Sequence, residues 1–206
     1  YNISTRTYDG DAERCNLTDV SERVTDLAFS HDGYKMFVSF GGLNGGADDD
    51  IVYGYELSSP YDISTCSYSD NKTTDLDGKL NGSLAGDDIA PADKVRLQGL
   101  DFNNNGTKMF LLFLGDANDI NGDARKERLL EFNLSTPYDL TDITLVENAG
   151  INLTGSSFLN PMGMSFSKNG KRVFIVDHNK MAIGQISLNV AFSTASYTID
   201  GTIVIK

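Results

Sequence analysis

One hairpin pattern occurs three times in this chain, and it leaves few folds open. Leu27-Ala28-Phe29-Ser30-His31-Asp32-Gly33-Tyr34-Lys35-Met36-Phe37-Val38 is the first copy. The others are Leu100-Asp101-Phe102-Asn103-Asn104-Asn105-Gly106-Thr107-Lys108-Met109-Phe110-Leu111 and Met164-Ser165-Phe166-Ser167-Lys168-Asn169-Gly170-Lys171-Arg172-Val173-Phe174-Ile175. In each, a phenylalanine and a short polar stretch lead into a Gly turn, after which Lys or Arg opens an apolar run. Asp-Gly or Asn-Gly between alternating apolar segments signals an antiparallel hairpin, because Gly tolerates the positive φ of such turns. Equivalent phenylalanines lie 73 residues apart (102 minus 29) and then 64 (166 minus 102). Loops of unequal length account for the difference.

Each hairpin opens a longer unit. A variable loop leads to an alternating third strand: Ile51 to Leu57, Arg128 to Leu134 and Ala182 to Leu188. A corner follows, Ser58-Ser59-Pro60-Tyr61-Asp62-Ile63-Ser64 in the first unit and Ser135-Thr136-Pro137-Tyr138-Asp139-Leu140-Thr141 in the second. The third corner, Asn189 to Thr194, is degraded. Polar, β-branched fourth strands are expected near 63–69, 143–148 and 195–200. No stretch sustains a helical period. The expected fold class is therefore all-β, with three four-stranded antiparallel blades of a β-propeller at about 24–69, 95–148 and 161–200 forming a single repeat domain over 1–206. Tyr1-Asn2-Ile3-Ser4-Thr5-Arg6-Thr7-Tyr8 matches Tyr61 to Tyr68 at five of eight positions, so 1–11 reads as the fourth strand of a preceding, partial blade. A blade cannot bury its faces alone. The ring is expected to be completed by another copy or by further sequence.

Phe102-Asn103-Asn104-Asn105-Gly106-Thr107-Lys108-Met109-Phe110 together with Leu134-Ser135-Thr136-Pro137-Tyr138-Asp139-Leu140 resembles the repeat of YVTN-like, lactonase-superfamily-like β-propeller proteins of environmental bacteria and phages. The resemblance covers nearly the whole chain. It implies a propeller fold and a secreted or surface location, and it transfers no catalytic residue. Lactonase-type propellers hold a metal with central carboxylates and amides. Asp26, Gln98 and Asn160, near the starts of the three first strands, are what the resemblance would place in such a channel.

The short turns and Pro-Tyr-Asp corners belong to one face of the propeller. The long loops, 41–50, 71–94 and 115–126, belong to the other, and long loops on a rigid scaffold are where binding usually sits. They are acidic. Asp48, Asp49 and Asp50 form one cluster, and Asp116, Asn118, Asp119, Asn121 and Asp123 alternate through another. Oxygen ligands on flexible loops suit calcium, so calcium is the expected cofactor. Ala124 stands where an EF-hand has Gly and no helix flanks the loop; a solvated acidic turn is the competing reading.

A net charge of -12 argues against nucleic acid, which is bound through clustered Lys and Arg. No run has the length of a membrane-spanning helix. Cys15 and Cys66 allow one disulfide, the alternative being two unrelated buried thiols. Asn-x-Ser/Thr occurs at Asn2, Asn16, Asn71, Asn81, Asn105, Asn133 and Asn152, a density expected of a glycosylated extracellular or cell-surface protein. Asn105 and Asn133 also belong to the turn and corner templates. His31 sits at a variable turn position and His178 beside Asp177, and neither has an identifiable nucleophile to form a triad.

The expected function is a non-enzymatic extracellular structural or adhesion module. Self-assembly into a homo-oligomer or filament would proceed through open blade edges at 1–9 and 196–206. A secreted lactonase-like or hydrolase-like propeller with a channel metal is the first alternative. A calcium-dependent module binding glycans is the second.

Overall fold

The computed structural model describes residues 10, 14–17, 23–41, 50–73, 76, 95–115, 127–153 and 158–204. The first sheet comprises β1 (Arg23–Phe29), β2 (Lys35–Gly41), β3 (Ile51–Leu57) and β4 (Cys66–Lys72). The second comprises β5 (Val95–Phe102), β6 (Lys108–Gly115), β7 (Arg128–Leu134) and β8 (Ile143–Asn152). The third comprises β9 (Pro161–Phe166), β10 (Arg172–Asp177), β11 (Ala182–Val190) and β12 (Ser193–Val204). Each sheet is an antiparallel meander in sequence order. These are three β-propeller blades, and the described residues are nearly all β. The third strands fall where the alternation places them. The fourth strands differ from their expected spans because residues 63–65 form a 3-10 turn before β4. In addition, β4, β8 and β12 bulge opposite or beside Gly54, Glu131 and Gln185, which lengthens β8 and β12.

The first strands are innermost: β1 packs on β5, β5 on β9, and β1 also reaches β9. Between the blades lie two apolar cores. The run Met109 to Phe113 on β6 divides its side chains between them. Met109, Leu111 and Phe113 meet Phe37 and Val52 of the first blade, while Phe110 and Leu112 meet Val173 and Ile175 of the third. A strand buried on both faces reads as a continuous apolar run, which is why this one lacks alternation.

One device closes every blade at the turn end. Gly33, Gly106 and Gly170 have φ of +76, +70 and +66, and the rings of Tyr61, Tyr138 and Phe192 lie so close that a Cβ would sit 2.4, 2.3 and 2.2 Å away. The same aromatics donate their backbone N–H to the carbonyls of those glycines at 2.8 to 2.9 Å. Their own φ values, 60, 60 and 52, lie in the left-handed region, where strain is accepted only if the surroundings enforce it. The third corner, degraded in sequence, thus keeps the ring and the turn.

Candidate functional site

Polar side chains on the innermost strands are the ones an axial ligand would meet. Each first strand pairs on one side only, so its other edge presents N–H groups that need acceptors. Asp26 on β1 accepts from Leu27 N at 2.9 Å and from Leu100 N of β5 at 2.9 Å. Asp101 on β5 accepts from Phe102 N at 2.8 Å and from Phe166 N of β9 at 2.8 Å. Both carboxylates therefore staple one blade to the next. Burial raises the pKa of both, partly offset by these N–H donors, and the charge of Asp26 raises Asp101 further.

The other two residues expected in a channel are also engaged. Buried Gln98 accepts from Arg23 Nη2 at 3.3 Å. Asn160 donates its backbone N–H to Asp177 Oδ2 at 2.9 Å and its amide to Asn179 at 3.3 Å, leaving its buried Oδ1 without a hydrogen-bond partner. Asp177, fully buried, also accepts from Leu159 N at 2.6 Å and Lys180 N at 2.9 Å. Burial alone would push its pKa up. The N–H groups of Asn160, Leu159 and Lys180 and the Lys180 charge outweigh that, and the net shift is downward. The ring of neighbouring His178 meets Asn179 Oδ1 at 3.2 Å. His31 enters the hydrogen-bond network through its backbone, with its N–H on Tyr138 Oη at 3.1 Å and its carbonyl accepting from Tyr61 Oη at 2.7 Å. Among the described residues, no three His, Cys, Asp or Glu side chains gather in a metal-holding set.

Of the expected metal ligands, Asp48, Asp49, Asp116, Asn118, Asp119, Asn121 and Asp123 lie outside the described residues, as do the sequons Asn2 and Asn81. Asp50 is buried and accepts from Leu97 N of the next blade at 3.0 Å. Asn16, Asn105, Asn133 and Asn152 are exposed. The side chain of Asn152 accepts from Arg128 at 2.7 Å, and that of Asn105 accepts from Thr107. Cys15 and Cys66 form a disulfide. It ties residues 14–17 to the first blade, where Cys15 and Leu17 pack on the cluster of Met36, Val38 and Phe40. A disulfide is compatible with an oxidising compartment, and no helix among the described residues is long and apolar enough to cross a membrane.

The polar residues that do most between blades are ones the sequence pattern hides. Asn71 in the β4 bulge accepts from Leu140 N at 2.7 Å and donates to Tyr138 O at 3.0 Å, holding the corner of the second blade. At the next junction Glu131 accepts from Thr194 N at 2.8 Å, and Lys108, which is ion-paired with Glu131, donates to Phe192 O at 3.0 Å. Tyr138 and Phe192 are equivalent, as are Leu140 and Thr194, so the same two backbone groups of the following blade are held each time. An amide clasps one corner and a Lys–Glu pair the other. Asn71 sits in a fourth-strand bulge and Glu131 opposite one.

No family model matches this chain, and neither does any curated protein. Solved structures similar to it include a protein from Lactobacillus plantarum, with 10% identity and a TM-score of 0.47 over 88% of this chain and 41% of that one. A candidate 6-phosphogluconolactonase from Bacteroides uniformis has 15% identity and a TM-score of 0.44 over 87% of this chain and 42% of its own. Hydrazine synthase of Kuenenia stuttgartiensis has 10% identity and a TM-score of 0.48 over 79% and 39%. The chain spans about two fifths of the length of these structures. At such identities no residue role passes to this chain.

Proposed function

We propose that this chain is a non-enzymatic, extracellular structural or adhesion module that works through the docking faces of its blades. One observation carries the reading: the carboxylates of the innermost strands, Asp26 and Asp101, and that of Asp177 at the end of β10 are spent on main-chain hydrogen bonds. Asp26 and Asp101 hold the next first strand, and Asp177 holds three N–H groups. A carboxylate so occupied is poorly placed to act as general base, nucleophile or ligand without giving up the fold. The disulfide supports the extracellular setting, and glycans on Asn16, Asn133 or Asn152 and calcium in the 116–123 loop belong to the same reading.

The test is turnover. The purified protein, assayed against a panel of sugar and acyl lactones with calcium, magnesium or manganese supplied, is expected to show no hydrolysis above buffer. Hydrolysis abolished by Asp26→Asn or Asp177→Asn in a variant that still folds would install the lactonase-like alternative.

A further inference from the structure

The outward face of the third blade repeats, position for position, a face that the rest of the molecule buries. On the second blade, Phe110 and the cross-strand row Leu112, Leu129 and Ile151 are fully buried beneath the third blade. Their equivalents are Phe174 and the row Val176, Ile183 and Ile203, which stand 36%, 48%, 38% and 78% exposed. Seven of the thirteen exposed large apolar side chains among the described residues lie between Phe174 and Val204, so the uncovered apolar surface gathers on this blade. The outward face of the first blade has no such surplus. Met36, Val38, Phe40 and Tyr55 are buried there, with Cys15 and Leu17 packed on them and Cys15 tied down by its disulfide. A head-to-tail joint between copies would have to displace that cover.

The open face of the third blade is complementary to itself. Ile183 is the middle of its row, with Val176 on one side and Ile203 on the other. A twofold axis running along β11 between two such faces exchanges β10 with β12. It sets Ile183 on Ile183 and Val176 on Ile203 of the second copy, aliphatic on aliphatic at every position of the row. In the next row Phe174 meets Gly201, which pairs with Gln185 and has nothing within 4 Å of the place a Cβ would occupy. A ring over an open glycine is the large-on-small fit of interdigitating layers. Beyond it, Arg172 on β10 and Asp200 on β12 stand in the two columns that the axis exchanges, so opposite charges approach at the rim. An axis across the strands would instead press Arg172 onto Val176, burying a charge against an aliphatic side chain.

We propose that two copies of this chain associate through their third blades, face to face about a twofold axis along β11. The inference rests on the reading of this chain as a docking module and names the partner as a second copy. Among the described residues no other blade face is left open to receive the row, so the matching surface on a second copy is the same surface. A patch that pairs with itself gives a closed, isologous dimer rather than an open filament. Six residues of β10 at ~3.3 Å each and four strands ~4.8 Å apart make a face of roughly 20 by 19 Å. That is small beside the ~800 Å² per partner of a standard interface, so the dimer is a weak, reversible one that forms at high micromolar concentration.

Thiol cross-linking tests it. Packed sheets lie ~10 Å apart, beyond the reach of a direct disulfide, so a short bismaleimide is the probe. Cys15 and Cys66, the two cysteines of the chain, are paired and leave no background thiol. Gln185→Cys puts a thiol on β11 beside the axis, and Thr144→Cys puts an exposed one on the second blade as the control. At hundreds of micromolar the first is expected to form covalent dimer about tenfold faster than the second, because the contact raises the local thiol concentration. Ile183→Glu added to the Gln185→Cys chain should bring the rate down to that of the control while leaving the urea midpoint in dilute solution unchanged. Sedimentation of the unaltered chain should pass from monomer to dimer over the same range and stop there. Equal rates for the two thiols, a chain that stays single throughout, or a ladder of larger species each overturns the proposal. The lactone assay fails separately: a dimer that hydrolyses lactones keeps this contact and removes the reading beneath it, and an inert monomer does the reverse.

Discussion

The junction between the first and second blades and the junction between the second and third satisfy the same two backbone groups with different chemistry. One neutral amide, Asn71, does in the first what a buried carboxylate and its lysine do in the second. The apolar parts differ less: Phe37 and Val52 in one, Phe110 and Leu129 in the other, all buried. What the repeat preserves is therefore a demand of the main chain. A corner that turns through a positive φ leaves a carbonyl and an N–H pointing at the preceding blade, and any nearby donor–acceptor pair of suitable reach can meet them.

The largest effect expected is in the apolar half. Phe110→Ala leaves a cavity between two blades and should cost about 3–5 kcal/mol in urea unfolding. Phe174→Ala, the same substitution on the uncovered face, should stay within about 0.5 kcal/mol in dilute solution, where no partner is bound. Equal costs at the two positions would break the comparison. Next come the clasps. Removing the carboxylate in Glu131→Ala strands Lys108 and the Thr194 N–H, and should cost about 3–5 kcal/mol, as for one half of a buried pair. Asn71→Ala should cost about 1–3 kcal/mol, the price of two unpaired backbone groups. A reversed ranking would mean that the ion pair adds nothing beyond the amide.

Smaller still is a pH effect at the axis. Burial raises the pKa of Asp101 above its ordinary 3.8 in the folded chain. As pH climbs past that value the unfolded carboxyl ionises first, so this group's contribution to stability falls from about pH 4 up to the folded pKa and holds level above it. Asp101→Asn keeps an acceptor for Phe166 N and should flatten that decline, seen as a urea midpoint that changes less between pH 4 and 7. Asp177 has the opposite sign. Its pKa is lowered, so its contribution is present above 3.8 and fades as pH falls through the folded value.

Much of the fold was legible because its signals are local. Asp32-Gly33, Asn105-Gly106 and Asn169-Gly170 mark turns by backbone chemistry, and apolar runs mark the strands that follow. The axial and inter-blade polar residues were not legible, because they answer to contacts between blades. Asp26 and Asp101 do the same work two positions apart in the repeat, so an aligned motif does not show them as equivalents. Asn71 reads as a glycan acceptor in sequence, yet its amide is engaged at a junction. Phe192 was obscured by the loss of Pro and Asp around it, although the ring alone is what covers Gly170.

The uncovered face of the third blade is the feature on which the functional reading turns, and side-chain footprinting reads it directly. Carbene or hydroxyl-radical labelling of the unaltered chain is followed from nanomolar to hundreds of micromolar concentration. Modification of Phe174, Ile183 and Ile203 is expected to fall together as concentration rises, while Phe110 stays unlabelled throughout. Labelling of those three side chains that stays constant across the range would contradict a docking face shared between copies.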